Sequence, residues 1–255
     1  MKSLCKMLIC LILVLIIPAG CLADTRVPVL LYHSVRPVVT KDMDPKMHVS
    51  TEVFTMHLRT LKDNGYQTIT YDQYTDYVKN GAVLPQKPLI INFDDGYEDN
   101  YTYAYPILKS MNMKATIFIL TEYMGLEPTL GYPHFTWEQA RELDRSGFID
   151  IESHTMSHPK MAEISYETTL REMRLSKYLI EKNLNKECKY MAYPNGIKNP
   201  WTSQIAKDAG YELMCKVGDK GSNDKTTDLY DISRLTVSND MDGAGLVKYI
   251  EENIK

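Results

Sequence analysis

Cysteine is scarce through most of this chain. Of five cysteines in 255 residues, Cys5, Cys10 and Cys21 fall in the first 21 positions, leaving Cys188 and Cys215 for the remainder. Neither has a redox or metal-binding spacing, so they either pair with each other or fill small core positions. A basic run is also missing, and acidic residues outnumber basic ones, 33 to 29. That balance excludes nucleic acid as a partner, and equally a strongly anionic polymer held by charge alone. There is no phosphate-loop glycine pattern, no internal repeat and no low-complexity segment. The one long apolar run, residues 7–17, is eleven residues and too short to cross a bilayer.

That run has a meaning of its own. Lys2 and Lys6 precede it, and Pro18-Ala19-Gly20-Cys21-Leu22-Ala23 follows as a small, helix-breaking exit. Basic segment, apolar segment and small residues together describe an export signal over residues 1–23. Ala-Gly-Cys resembles the end of a lipoprotein box with Cys21 as the lipidated residue, although Pro18 stands where such boxes carry leucine. Cleavage after Ala23 is the alternative. The product is then a secreted or cell-surface bacterial protein, touching a membrane only through a lipid anchor. Without Lys2 and Lys6 the basic count is 27 against 33 acidic, a mature charge near −6.

Residues 24–255 read as one catalytic domain. Strand signals at 27–32, 89–93, 115–120, 148–152, 189–193, 211–217 and 232–237 alternate with helical patterns at 51–64, 101–111, 136–145, 165–185, 201–209 and 246–253. Alternation of this kind gives a parallel sheet covered by helices. About seven strands without phosphate-loop glycines predict an α/β fold, a distorted (β/α) barrel in a single domain. Chemistry in such barrels gathers at the C-terminal strand ends. Standing there are His33, Asp94-Asp95, His154, Tyr193-Pro194 and Arg234.

Two adjacent carboxylates at the mouth of a buried strand, in P-L-I-I-N-F-D-D-G-Y (88–97), repel each other and resist desolvation. The stretch S-H-T-M-S-H-P (153–159) offers the counter-charge. His154 and His158 are four apart, a spacing that turns both rings the same way on a helical turn or a loop imitating one. Two imidazoles and a carboxylate form a three-ligand set with a fourth position open to water, as in catalytic zinc sites. An H-x-x-x-H pair on its own is better explained by two surface histidines; beside a strand-end Asp-Asp it gains weight. One aspartate then binds the metal, and the other stays ionised to take a proton from water.

N-F-D-D-G at 92–96, H-T-M-S-H at 154–158 and A-Y-P-N-G at 192–196 together resemble the first three motifs of the polysaccharide deacetylases (carbohydrate esterase family 4), over nearly the whole mature chain. The resemblance implies hydrolysis of N-acetyl groups from an amino-sugar polysaccharide (poly-N-acetylglucosamine, peptidoglycan or a chitin-like polymer) with release of acetate. It places Asp94 as base and Asp95, His154 and His158 as ligands of one divalent ion, Zn2+ first, with Co2+, Ni2+ and Fe2+ as alternatives. An O-acetyl esterase on the same fold, or a non-catalytic carbohydrate-binding relative, are the competing readings.

The third motif departs from the family pattern. Its usual arginine is Ala192, and the aromatic before its glycine is Asn195, whose backbone amide can still serve an oxyanion beside Tyr193 and Pro194. Arg234 is the candidate replacement for the missing arginine, a surface ion pair being the other reading. The family's C-terminal strand ending in histidine is absent, but V-L-L-Y-H-S-V at 29–35 is such a strand at the opposite end of the chain. This resembles the permuted branch that includes poly-N-acetylglucosamine deacetylases, and makes His33 the candidate general acid, unless it is simply packed under a loop. His134, in the Gly/Pro-punctuated 121–135 loop, is the next candidate acid. Tyr97, Tyr101, Tyr132, Trp137 and Trp201 are candidate sugar contacts, only a minority of which are expected to touch substrate. The protein is expected to be a monomer.

Overall fold

The computed structural model describes residues 25–126, 132–218 and 220–254. The expected signal segment lies outside them, as do residues 127–131 of the loop expected to border the cleft.

In chain order the elements are β1 (Val29–Tyr32), β2 (Ser34–Arg36), β3 (His48–Ser50), α1 (Thr51–Asp63), β4 (Gln67–Thr68), α2 (Tyr71–Asn80), β5 (Pro88–Phe93), α3 (Tyr105–Ser110), β6 (Ala115–Ile119), α4 (Trp137–Arg145), β7 (Ile149–Ser153), α5 (Tyr166–Leu184), β8 (Tyr190–Ala192), α6 (Thr202–Asp208), β9 (Leu213–Val217), β10 (Ile232–Thr236) and α7 (Gly243–Asn253). Seven strands close a parallel barrel in the order β1-β10-β9-β8-β7-β6-β5, and β5 pairs back onto β1. The expected seven-stranded barrel in a single domain is what forms.

Closure follows from strands buried on both faces. VLLY of β1, PLIINF of β5 and ATIFI of β6 are buried at every position, the pattern of parallel strands covered by helices. One set of alternating residues, among them Leu30, Ile91, Ile117 and Ile151, packs outward with Phe54, Leu58, Leu143 and Ile180. The other set, including Val29, Ile90, Phe118 and Leu213, fills the barrel with Tyr71 and Tyr74 of α2. β4 pairs with Pro88 and Leu89 at the start of β5. The α2 helix that follows therefore packs across the N-terminal end of the barrel, and its Tyr71 side chain reaches up the interior to donate to Asn92 Oδ1 at 2.7 Å. The open end is the C-terminal one.

Two local differences from the sequence reading have physical causes, and one open choice is decided. The α2 helix is additional. Its Thr70–Gln73 capping box and left-handed Gly81 are helix punctuation, but its buried face is Tyr71, Tyr74 and Thr75 rather than aliphatic. The expected helix over 101–111 instead begins as a π-turn, Asn100–Ala104, and becomes α-helical at Tyr105–Ser110. Pro106 lacks an N–H and would crowd an α-helical carbonyl before it; the wider turn relieves both. Finally, Cys188 and Cys215 are buried free thiols, which decides between the two readings offered for them.

Candidate active site and metal centre

β-register brings the strand ends level at one rim. Tyr32 pairs with Phe93, Ile119 with Ser153, and Ala192 with Cys215. The Asp94 N–H donates to Tyr32 O at 3.1 Å, carrying the β1–β5 ladder one residue beyond β5. The chain then turns sharply, with φ of 74° at Asp95 and 81° at Gly96. Six non-glycine residues have positive φ among the described residues, and four of them, Asp95, Thr155, His158 and Asn195, stand on loops at this rim. Left-handed backbone at such residues is costly and tends to persist where function holds it.

The turn sends the neighbouring carboxylates to different partners. Asp94 faces Arg234, which grips it through two parallel bonds, Nη1–Oδ1 at 2.6 Å and Nη2–Oδ2 at 2.7 Å. Arg234 is fully buried on β10, donates from Nε to Lys216 O at 3.1 Å, and lies over the Phe118 ring at 5.6 Å. Burial pushes the Asp94 pKa upward, but Arg234 and then His154 outweigh it and hold the carboxyl at about 2. Burial likewise works against the Arg234 charge, and Asp94 more than restores it.

Asp95 faces both histidines, whereas Asp94 Oδ2 approaches only His154 Nε2, at 3.8 Å. Asp95 Oδ1 is 3.7 Å from His154 Nε2 and 3.9 Å from His158 Nε2. The two rings meet edge to face, centroids 5.0 Å apart. His154 Nδ1 lies 2.9 Å from Ala192 O. A carbonyl only accepts, so Nδ1 carries the proton and Nε2 presents its lone pair towards Asp95. Burial first of all lowers the His154 pKa, which favours that neutral form. One ligand atom each from Asp95, His154 and His158 fall within 4.8 Å of one another. Two imidazole nitrogens and one carboxylate oxygen with a fixed tautomer fit a divalent ion of zinc type.

The histidine loop has a support that sequence reading passed over. Glu172 of α5 accepts from the N–H groups of Met156 and Ser157, both at 3.1 Å, and from Ser157 Oγ at 3.0 Å. It lies in the buried stripe Thr169, Glu172, Met173, Ser176, Ile180 of α5; an acidic residue inside an otherwise core-facing stripe is the signal that could have found it. Substituting Glu172 by Ala frees this loop, and metal affinity is expected to fall about 10- to 100-fold, as for other groups that orient ligands. Metal titration of the purified variant checks this; unchanged affinity would make Glu172 a fold-stabilising residue only.

His33 follows β1 and lines the same cavity as Asp94, Asp95, His154 and His158, a space of about 540 Å³. Its carbonyl accepts from Asn100 Nδ2 at 2.7 Å, while Asp99 accepts from Ser34 Oγ and the Val35 N–H. Both anchors lie in or beside the π-turn. Asn195 lines the cavity, and Gly196 behind it is required, since a Cβ there would lie 2.5 Å from Val217 N. Tyr97, Tyr132 and His134 also line the cavity, with the His134 ring between Tyr97 and Tyr123 at 5.2 and 5.3 Å.

Other candidates stand elsewhere. The Tyr193 side chain is buried with its hydroxyl donating to Tyr230 O at 3.1 Å, and Pro194 is buried beside it. Trp137 packs partly buried against the core at the start of α4. Tyr101 is tied to Glu142 of that helix at 2.7 Å. Trp201 is exposed and not among the residues lining the cavity.

Residues 81–214 match the polysaccharide deacetylase family model, a span that contains Asp94, Asp95, His154 and His158. The chain is 33% identical over 226 residues to Bacillus subtilis YxkH, named for the same family, covering 89% of this chain and 76% of that one. It is 29% identical to the poly-beta-1,6-N-acetyl-D-glucosamine N-deacetylase of Staphylococcus aureus, covering 75% and 68%. Among solved structures, the Streptococcus pyogenes deacetylase PplD in complex with acetate superposes with a TM-score of 0.81 at 26% identity, covering 89% of this chain and 99% of that one. IcaB from Ammonifex degensii shares the fold, with a TM-score of 0.75 at 21% identity over 89% and 100%. A matched model over half the chain, a relative at one-third identity, and a rim that seats the matched motifs together place this chain in the polysaccharide deacetylase family.

Proposed function

We propose that the protein is an exported, metal-dependent hydrolase that removes N-acetyl groups from an amino-sugar polysaccharide of the poly-N-acetylglucosamine kind. The observation that carries this is the division of labour between adjacent carboxylates: Asp94 locked by Arg234, and Asp95 turned to His154 and His158. Residues 1–23 serve as the export signal, with Cys21 lipidated or the chain cut after Ala23.

Asp95, His154 and His158 would hold one divalent ion, zinc by donor type. When bound, such an ion supplies Lewis-acid chemistry, acidifying water and polarising the acetyl carbonyl. Asp94 accepts the proton of the attacking water as its oxygen bonds to the acetyl carbon. Arg234 holds that carboxylate ionised and fixed, the part that Ala192 cannot play. Asn195 supplies its backbone amide to the oxygen that gains charge. His33 gives a proton to the amide nitrogen as the C–N bond breaks, so the products are acetate and a free amino sugar. The relative named for poly-beta-1,6-N-acetyl-D-glucosamine supports the polymer class, and the acetate complex of the similar structure supports the product.

The test is acetate release from β-1,6-linked N-acetylglucosamine oligomers by chelator-treated protein, with and without restored Zn2+. Release that depends on the ion is expected. Release from acetylxylan but not from the oligomers would assign an O-acetyl esterase instead.

A further inference from the structure

Behind the catalytic cavity lies a second space. The rings of Tyr97 and Tyr132, 5.8 Å apart and edge to face, line both. On the far side the groove is lined by Arg36, Val38, Glu98, Asp99, Thr102 and Tyr103. Four of these, Glu98, Asp99, Thr102 and Tyr103, come from the loop after β5 and the π-turn, the turn that also anchors the carbonyl of His33. An element that sets the catalytic rim therefore also shapes the wall beyond it, and π-turns gather at functional sites.

The groove sets apolar and polar groups side by side. Tyr103 is 37% exposed and Val38 66%, so an apolar ring face and an aliphatic side chain stand open beside hydroxyl and carboxylate groups. Arg36 is already engaged. Its Nη2 is 3.6 Å from Asp99 Oδ2, its Nε donates to Ser34 Oγ at 3.1 Å, and its guanidinium lies 4.8 Å from the Tyr132 ring centre. Asp99 offsets that charge, and Glu98 adds an anion with no ion pair among the described residues. The groove is thus aromatic, polar and, on balance, negative.

Resting on the reading of the cavity as a de-N-acetylation site, we propose that this groove holds the neighbouring sugar of the same chain, and that it accepts a neutral or cationic hexosamine and rejects a carboxylate-bearing one. The substrate class is then an amino-sugar homopolymer, in which neighbours are N-acetylated or already free amines, rather than an alternating strand whose every second sugar bears a lactyl carboxylate. Tyr103 stacks on the sugar face, and Glu98 sets the charge preference.

The test compares kcat/KM on N-acetylglucosamine monomer, β-1,6-linked tetramer, a tetramer alternating with lactyl-bearing sugars, and an aryl acetate, in zinc-loaded protein. The homopolymer tetramer is expected to exceed the monomer by about tenfold and the lactyl tetramer by at least as much. Tyr103→Ala should remove about five- to tenfold of the length gain, the scale of one aromatic contact, with aryl acetate hydrolysis unchanged. Glu98→Arg should bring the lactyl tetramer up to or above the homopolymer. Equal rates on both tetramers, or a full length gain in Tyr103→Ala, would overturn the groove assignment while leaving the de-N-acetylation reading intact. If no oligomer releases acetate while the aryl acetate is hydrolysed, both readings fail.

Discussion

Replacing Asp94 by Asn is expected to cut acetate release by at least about a thousandfold while the protein still binds one metal ion. The loss is at the upper range of what a positioned proton acceptor supplies. Metal should stay because Asp95 Oδ1 approaches both histidine nitrogens, whereas Asp94 Oδ2 approaches only that of His154, at 3.8 Å, and is held by Arg234. The substitution also leaves Arg234 fully buried against an amide that can accept only part of its fork. A lower Tm is therefore expected too, and turnover is read per metal-loaded, folded molecule. Loss of metal with activity restored on reconstitution would reverse the roles of the two aspartates. The companion substitution is Arg234→Met. With Arg234 present, Asp94 is held at about 2, so its stabilising ionisation is complete above the ordinary carboxylate pKa of 3.8 and fades as pH falls towards 2. Without Arg234, burial becomes the dominant influence and raises that pKa. The acid limb of the pH–rate profile should then move to higher pH. An acid limb that stays in place, with lowered Tm alone, would make Arg234 structural.

The parts of this molecule legible in its sequence are those written in short-range patterns. Leu89-Ile90-Ile91 before Asp94-Asp95, or Ala115–Ile119 between polar turns, announce buried strands because every position is apolar or small. Ser165 and Asn185 punctuate α5 at both ends. Asp95, His154 and His158 stand out as candidate ligands in the sequence because ligand chemistry needs particular side chains at particular spacings, and the fold brings one ligand atom of each within 4.8 Å of the others. Less legible was whatever depends on long-range pairing. Arg234 lies 140 positions from Asp94, and only closure of the barrel sets β10 and β5 on either side of β1. Glu172 looks like an ordinary helix carboxylate until the fold sets the 154–158 loop above it. The α2 helix was missed because tyrosines form its buried face, and tyrosine carries a weaker periodic signal than leucine. Tyr193 and Trp137 illustrate the opposite limit. Being aromatic and near a strand end or loop does not say which way a ring turns, and in this fold both rings turn towards packing.

The amide nitrogen is the hardest part of the reaction, and the second large effect concerns the proton it needs. An amine leaves poorly unless protonated, so collapse of the tetrahedral adduct requires an acid near nitrogen. In the proposed reaction Asp94 takes the first proton, and the two bonds from Arg234 leave its carboxylate little freedom to reach another atom. His33 is placed one residue beyond β1, the strand that pairs with both β10 and β5, so it stands at the rim beside Asp94 without depending on the same loop. Asn100 and Asp99 hold its backbone from the π-turn, so the ring projects from a braced segment. Imidazole is the side chain whose ordinary titration lies near neutral pH. His33→Ala is expected to lower de-N-acetylation of an oligomer by about two to four orders of magnitude, with metal content unchanged and the alkaline limb of the pH–rate profile lost. An aryl acetate, whose phenolate departs unprotonated, should lose far less. That contrast separates proton donation from a general disturbance of the site, which would slow both substrates alike. Equal loss on both, or an alkaline limb still in place, would remove His33 from this role and bring forward His134, which lines the same cavity between Tyr97 and Tyr123. A surviving contrast would mean that a strand at the beginning of this chain does the work that other members of the family assign to one at the end, which a closed barrel allows because β1 and β10 are hydrogen-bonded neighbours.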